Sequence, residues 1–329
     1  MRAHLYSALA ITVCLLNGLS GIGLLAAPPT HRFLAADSSQ GRAAIIDETG
    51  DTQWEMKIGP LHDLHLLDNG HLLLQTSWTQ LVEVDPQTNR TVWQYDASAS
   101  DGNRGRKVEV HAFQRLPSGH TMIAESGVAR IIEVDAQGKI VHEMPLRVAQ
   151  PHPHRDTRLV RQLANGNYLV CHEGEGLVRE YARTGETVWE YNVPLFGRQP
   201  APGHGPEAFG NQCFTALRLA NGNTLLSTGN GHRVIEVTPQ KEIVWQLEQD
   251  DLPGIELAWI TSLQVLPNGN IVLVNCHAGE KNPQIIEVTR DKQIVWKFQD
   301  FERFGNALTN AQILTIDGQP IAAQLGQDR

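Results

Sequence analysis

From residue 31 onward the chain is written in short alternations of apolar and polar residues, and these recur in sets of four. The first alternation of a set, such as 215–219 (TALRL), runs into an Asn-Gly turn. That turn recurs at Asn69-Gly70, Asn165-Gly166, Asn221-Gly222 and Asn268-Gly269, with Ser118-Gly119 and Asp317-Gly318 as variants. Such dipeptides suit the positive φ of a tight hairpin. A second alternation follows, as at 72–74, 168–170 and 271–274. The third reads LVEVD, RIIEVD, LVREYA, RVIEVT or QIIEVT, and the fourth ends in TVWQY, IVHEM, TVWEY, IVWQL or IVWKF. Period-two patterning predicts strands, and no sustained helical period occurs outside the first 30 residues.

The turn glycines lie 49, 47, 56, 47 and 49 residues apart. Four short strands at that spacing are the signature of propeller blades. Five units are complete, over 60–98, 108–148, 156–195, 211–250 and 259–300. The sixth is split: 31–59 supplies strands two to four, ending in Trp54, and 307–318 supplies a lone first strand. Joining the two ends pairs edges that would otherwise stand open. The prediction is therefore an all-β, six-bladed β-propeller of four-stranded antiparallel blades, with a C-terminal strand joining the N-terminal blade to close the ring. Trp93, Trp189, Trp245 and Trp296 share one repeat position, replaced once by His142. A large ring in nearly every unit reads as packing between blades.

Residues 1–30 differ in kind: a basic start, an apolar run and then small residues before a Pro pair. That is the layout of a secretory signal, which places the rest outside the cytoplasm, secreted or periplasmic. The stretch 5–27 is also long enough to act as an N-terminal membrane anchor if it stays uncleaved. Residues 31–318 form the propeller domain and 319–329 a C-terminal tail. The leader takes Cys14 with it, leaving Cys171, Cys213 and Cys276. Three sparse cysteines are not a disulfide framework; at most one pair forms, and small buried thiols are the simpler reading. A net charge of −9 and a pI near 5.8 argue against nucleic acid as a partner.

The pattern LPNGN followed by EVDxxGKxVWEY resembles the PQQ-like, or quinoprotein-like, β-propeller superfamily. The likeness covers nearly all of 31–318 and implies the fold. Fold alone does not carry function. Quinone-dependent dehydrogenases of that superfamily typically use eight blades, a vicinal cysteine pair and a calcium site. Six blades and no adjacent cysteines do not support PQQ, and no other cofactor is evident. A shorter stretch, His62-Asp63-Leu64-His65-Leu66-Leu67-Asp68-Asn69-Gly70, resembles an HD–LLpNGN segment of bacterial arylsulfotransferase propellers. It implies a channel histidine that accepts a sulfuryl group.

In a propeller the Asn-Gly turns lie on one face, and the loops between strands two and three and between blades lie on the other. The second set is longer and more individual here, so the site is expected there. Counted from the turn, His62, His111, Arg158, Phe214, Thr261 and Asn310 are equivalent, and they would ring the channel mouth. Candidates for acid–base or nucleophilic work are His111, Glu125 and His172. Candidate ligand contacts from this mouth and its loops are His62, Arg158, Glu173, His204 and Glu207. Asn211, Asn230, His232, His277 and Asn306 complete the set. Glu125 and Glu173 could equally pair with Arg158 and Arg179, and the glycine-rich GNGH and HEGEG could be plain tight turns. His152 and His154 could reach one metal, but no ligand spacing of an established class is present and no metal is assigned. The function expected is binding of a small polar, anionic ligand at the mouth, with or without an unassigned reaction. An arylsulfotransferase-like enzyme and a protein-interaction scaffold are the alternatives.

Overall fold

The computed structural model describes residues 27–322 and 325–329; residues 1–26 of the leader lie outside the described residues. Six antiparallel sheets are arranged as blades. Blade 1 runs Leu64–Leu66, Leu72–Gln75, Gln80–Asp85 and Arg90–Asp96. Blade 2 opens with Glu109–Arg115, blade 3 with Val160–Gln162, blade 4 with Ala216–Arg218 and blade 5 with Trp259–Val265. Blade 6 is the split one: Leu308–Ile316 pairs with His31–Asp37, followed by Arg42–Ile46 and Thr52–Lys57. The leftover first strand thus closes the ring as its pattern requires. A short strand, Gln319–Pro320, extends blade 6 on the far side of Leu308–Ile316, so part of the tail packs on the propeller.

There is no single core. Each of six apolar clusters lies between neighbouring blades. Period two divides each strand between two neighbours: Leu72 and Leu74 pack toward blade 6, whereas Leu73 packs toward blade 2. Each such leucine contributes about 1.5–3 kcal/mol of burial, so blades are stable only as a stack.

The Asn-Gly turns are more than connectors. Gly70, Gly119, Gly166, Gly222 and Gly269 all take φ between +81° and +85°, but the residues before them do not. The turn is thus a type I turn closed by a left-handed glycine, with both central residues left-handed only at Asp317-Gly318. Asn69 Oδ1 accepts from His71 N at 3.0 Å, and its amide donates to Glu83 at 3.2 Å. The same two-way use recurs at Asn165 with Glu180 and at Asn221 with Glu236.

Those glutamates are the middle residues of the EVD-type strands and stand opposite the repeated ring, as Glu83 opposite Trp93. Each is buried and reaches the next blade. Glu83 accepts from Arg115 and Glu180 from Arg218, at 2.7 and 2.9 Å, and Glu287 contacts His31 at 2.6 Å. Glu133 meets Arg183 and Glu236 meets Arg290. Arg115, Arg218 and Arg290 also stack on Trp93, Trp189 and Trp245. The tryptophan N–H groups of Trp54, Trp189 and Trp245 bond to the following blade at Asn89, Pro239 and Arg290. The repeated ring is inter-blade packing, locked by an Arg–Glu ion pair at four of the six joints and by the His31–Glu287 contact at a fifth.

Candidate functional site

Strand one of each blade starts at the mouth of the central channel. His62, His111, Arg158 and Phe214 meet there. His62 Nδ1 lies 2.8 Å from His111 Nδ1, and the His62 ring is 5.1 Å from Phe214. The Arg158 guanidinium stands over Phe214 at 5.4 Å. The strand ladder skips one residue in blade 2 between Val110 and Ala112, and one in blade 5 between Ile260 and Ser262. The skipped residues are His111 and Thr261, which hold the equivalent ring position. A bulge frees a side chain from the ladder and re-aims it. Asn310 is used structurally, donating to the His62 carbonyl at 2.9 Å.

A further imidazole arrives from the loop between blades 2 and 3. Asp156 shapes that loop by accepting from the His152 and Gly127 backbone N–H groups. His152 turns inward on the loop itself, accepting from His154 N at 3.1 Å. His154 reaches the mouth, where its Nδ1 contacts Glu109 Oε2 at 2.7 Å. His111 Nε2 lies 3.3 Å from the same oxygen. Trp78, from the loop between strands two and three of blade 1, covers the cluster. Its ring centre is 4.8 Å from His62 and 5.2 Å from both His111 and His154. Burial pushes His111 down to about 4 and His62 well below the usual imidazole range, with the Arg158 charge adding to both. Burial opposes ionisation of Glu109, but hydrogen bonds from His111 and His154 hold it down at about 2. Glu109 and Trp78 are the site residues that sequence reading missed. Glu109 stands two residues before His111 on the same strand, whereas only the fold brings Trp78 beside it.

Arg158 is not a free cation. It forms a buried ion pair with Glu173, and it donates to the His154 carbonyl. Burial pushes Glu173 up and Arg158 down, so desolvation outweighs their mutual attraction in both. Gln212 donates to Glu173 at 3.3 Å, and Asn230 holds Gln212 through its side-chain amide at 2.7 Å. Further round the mouth His204 stacks on Trp259 at 5.8 Å and meets His277 at 5.5 Å. Three buried polar groups on these strands lack a hydrogen-bond partner: Arg158 Nε, Trp259 Nε1 and Thr261 Oγ1.

Other candidates are held within the scaffold. His172 bonds the Asp156 carbonyl at 2.8 Å and the Tyr181 hydroxyl at 2.9 Å. Glu125 pairs with Arg130 at 2.6 Å and accepts from Tyr95. Arg179 pairs with Glu175 and Glu190. Asn211 donates to the Val193 carbonyl, Glu207 accepts from Gly205 N, and Asn306 accepts from Gly279 N. His232 is buried edge-on to Phe209 at 6.1 Å. The N–H groups of Gly174, Gly176 and Gly231 are taken by backbone carbonyls, so these glycines make turns. The three cysteines of the described residues are buried and free.

Below the mouth, Arg161 grips Asp63 across the channel, and Arg329 enters from the other end to bond His65, Leu64 and Asn310. A cavity of about 1140 Å³ opens on the Asn-Gly face, beside Leu66, Arg115, Leu163 and Arg218. Its guanidinium groups already serve the Glu83 and Glu180 joints. Arg115 Nε and Arg218 Nε are unpartnered there as well, but each guanidinium stacks on a blade tryptophan; at the mouth Arg158 Nε is joined by the unpartnered Trp259 Nε1 and Thr261 Oγ1, and the chemistry is better placed there. Asp63, the acid of the HD stretch, is likewise committed to Arg161 and His65.

A family model described as outer membrane protein assembly factor BamB, of the PQQ-like repeat type, matches residues 39–299. The chain belongs to the PQQ-like β-propeller family. No curated protein matches it. Among solved structures, a protein of unknown function from Bacteroides caccae is 21% identical with a TM-score of 0.71. That match covers 86% of this chain and 98% of the other. A streptogramin B lyase is 14% identical, at a TM-score of 0.52 over 84% of this chain and 85% of that one. The WD40 propeller domain of Doa1 is 15% identical, at 0.53 over 83% and 77%. At these identities the likeness is one of fold. None of these matches supports the arylsulfotransferase resemblance at His62-Asp63. Among the described residues no helix is long and apolar enough to cross a membrane.

Proposed function

We propose that this PQQ-like propeller is exported and binds a small, acceptor-rich polar molecule, such as a carboxylate or sulfate, at the channel mouth. The observation that carries the reading is the set of unpartnered groups there. Arg158 Nε and Trp259 Nε1 are donors, and the Thr261 hydroxyl can donate. Leaving such a group buried and unpaired costs about 1–3 kcal/mol, which a ligand oxygen would recover. The rings of Trp78, Phe214 and Trp259 add apolar faces beside these donors, the usual mix of a small-molecule site. Because Glu173 already balances Arg158, the ligand is recognised by directed N–H groups more than by net charge. Among the described residues the large exposed apolar side chains are Val92, Val141, Val188, Ile243, Val244 and Ile294. They lie on the outermost strands, away from the mouth, which favours a small ligand over a protein platform on that face. Export rests on the leader layout.

The test is a thermal-shift titration with glucuronate, galacturonate and a sulfated hexose. A saturable rise in Tm is expected with at least one of them. It should weaken in Trp259→Phe, which removes one N–H and leaves the ring. No shift with any of them, together with a protein that co-purifies on the mouth face, would favour the scaffold. Intact mass of the chain recovered outside the cytoplasm checks export, since a cleaved leader shortens it.

A further inference from the structure

We propose that Glu109, His111 and His154 together hold one divalent first-row transition metal ion at the rim of the channel mouth, with Zn²⁺ the fit of their donor set. One carboxylate oxygen and two imidazole nitrogens form the group, and the three donor atoms lie within 4.8 Å of one another. Two of the separations are 2.7 and 3.3 Å. Ligands about 2.0–2.1 Å from a tetrahedral zinc stand about 3.3 Å apart, so small side-chain movements suffice. Two histidines and a glutamate leave a coordination position open, the arrangement of a reactive rather than a closed structural zinc site.

The surroundings support the same assignment. The bulge in blade 2 aims His111, and Asp156 fixes the loop that delivers His154. His62 meets the far nitrogen of His111 at 2.8 Å. Only one proton fits between those two Nδ1 atoms. His111 Nε2 now lies between two acceptors, the Pro153 carbonyl at 3.1 Å and Glu109 at 3.3 Å; drawing the shared proton onto Nδ1 frees Nε2 to bind, with His62 as the orienting partner. Binding displaces the protons now shared between the imidazoles and Glu109. Trp78 closes one side of the cluster. The three donors are complete without the acceptor ligand.

The experiment uses the full mature chain, stripped with a chelator and titrated with Zn²⁺ by calorimetry and with Co²⁺ by visible absorption. One ion per chain is expected, with a rise in Tm and a cobalt d–d spectrum of low coordination number. His154→Ala and Glu109→Gln should each weaken binding by at least about tenfold. His120→Ala, at the Ser118-Gly119 turn on the opposite face, should bind as the wild type does. His154 is the least buried of the three, so its variant keeps the fold, which circular dichroism checks. A wild-type chain that takes up no stoichiometric metal would overturn the proposal. So would unchanged affinity in both His154→Ala and Glu109→Gln.

Discussion

Arg161 of blade 3 and Asp63 of blade 1 are joined across the channel by two hydrogen bonds, of 2.7 and 3.0 Å. Their side chains are 2% and 0% exposed. Burial alone would push the Asp63 carboxyl up, but the Arg161 charge and its bonds hold it well below the usual carboxylate range. Blade 2 lies between the two partners, so the pair ties non-adjacent blades together. Asp63→Asn leaves Arg161 buried beside Arg329 and should cost about 3–5 kcal/mol in guanidinium unfolding. Adding Arg161→Met should restore part of that loss. Two losses that simply add would mean the pair is not coupled.

Gly229 is the tightest glycine of the mouth-facing loops. Its φ is +60°, and an added Cβ would stand 1.8 Å from the Gln212 carbonyl oxygen. Gln212 also holds Glu173, so the strain would reach the Arg158 pair. Gly229→Ala should destabilise by about 3 kcal/mol, against about 1 kcal/mol for Gly254→Ala. Gly254 has a φ of +78° but open space around it. Urea melts of the two variants separate steric clash from backbone strain, and equal losses would remove the clash from the account.

The fold was legible because its signals are local. Hairpin turns and period two mark the strands within a few residues, and the odd strand left at each end can be placed only by closing the ring. Counting from the turn also found His62, His111, Arg158 and Phe214, because strand one starts at the same height in every blade. Glu125 and His172 were harder. They close strand two beside the site loops, and nothing local shows that Arg130 and Tyr181 already engage them. Glu109, two residues before His111, passed for the alternation of its strand, whereas Trp78 reaches His111 only through contact between blades 1 and 2. The repeated glutamate of strand three was visible throughout. It looked like the polar phase of an alternation, and its partner lies in the next blade.

That glutamate makes its own prediction. Glu180 accepts from Asn167 at 2.6 Å, from Arg218 at 2.9 Å and from Asn165 at 3.3 Å. Glu180→Ala unties the Asn-Gly turn and strands Arg218 over Trp189, and should cost about 3 kcal/mol. Arg218 is partly exposed, so a double-mutant cycle between the two should give a coupling of only about 1 kcal/mol. A negligible cost for Glu180→Ala in urea unfolding would mean that the turns hold the joint without it.

Acid should destabilise the protein through histidines that the fold keeps neutral. Burial pushes His172 down to about 4, partly offset by its bond to the Asp156 carbonyl. The unfolded chain binds that proton below about 6.5, whereas the folded chain does not bind it until about 4. Stability from this group is therefore complete above pH 6.5 and falls as the pH drops toward 4. One proton taken up on unfolding corresponds to a slope of about 1.4 kcal/mol per pH unit, and to about 3 kcal/mol over the window. His65, also pushed by burial to about 4, acts in the same direction. His172→Gln keeps an amide donor toward Asp156 and an acceptor toward Tyr181, but cannot titrate. Urea melts between pH 5 and 7 should show a shallower decline in His172→Gln than in the wild type, with little difference at pH 7.5. Parallel curves would mean that His172 carries its proton in the folded chain, which would place a charge between Asp156 and Tyr181 and return it to the set of titrating groups.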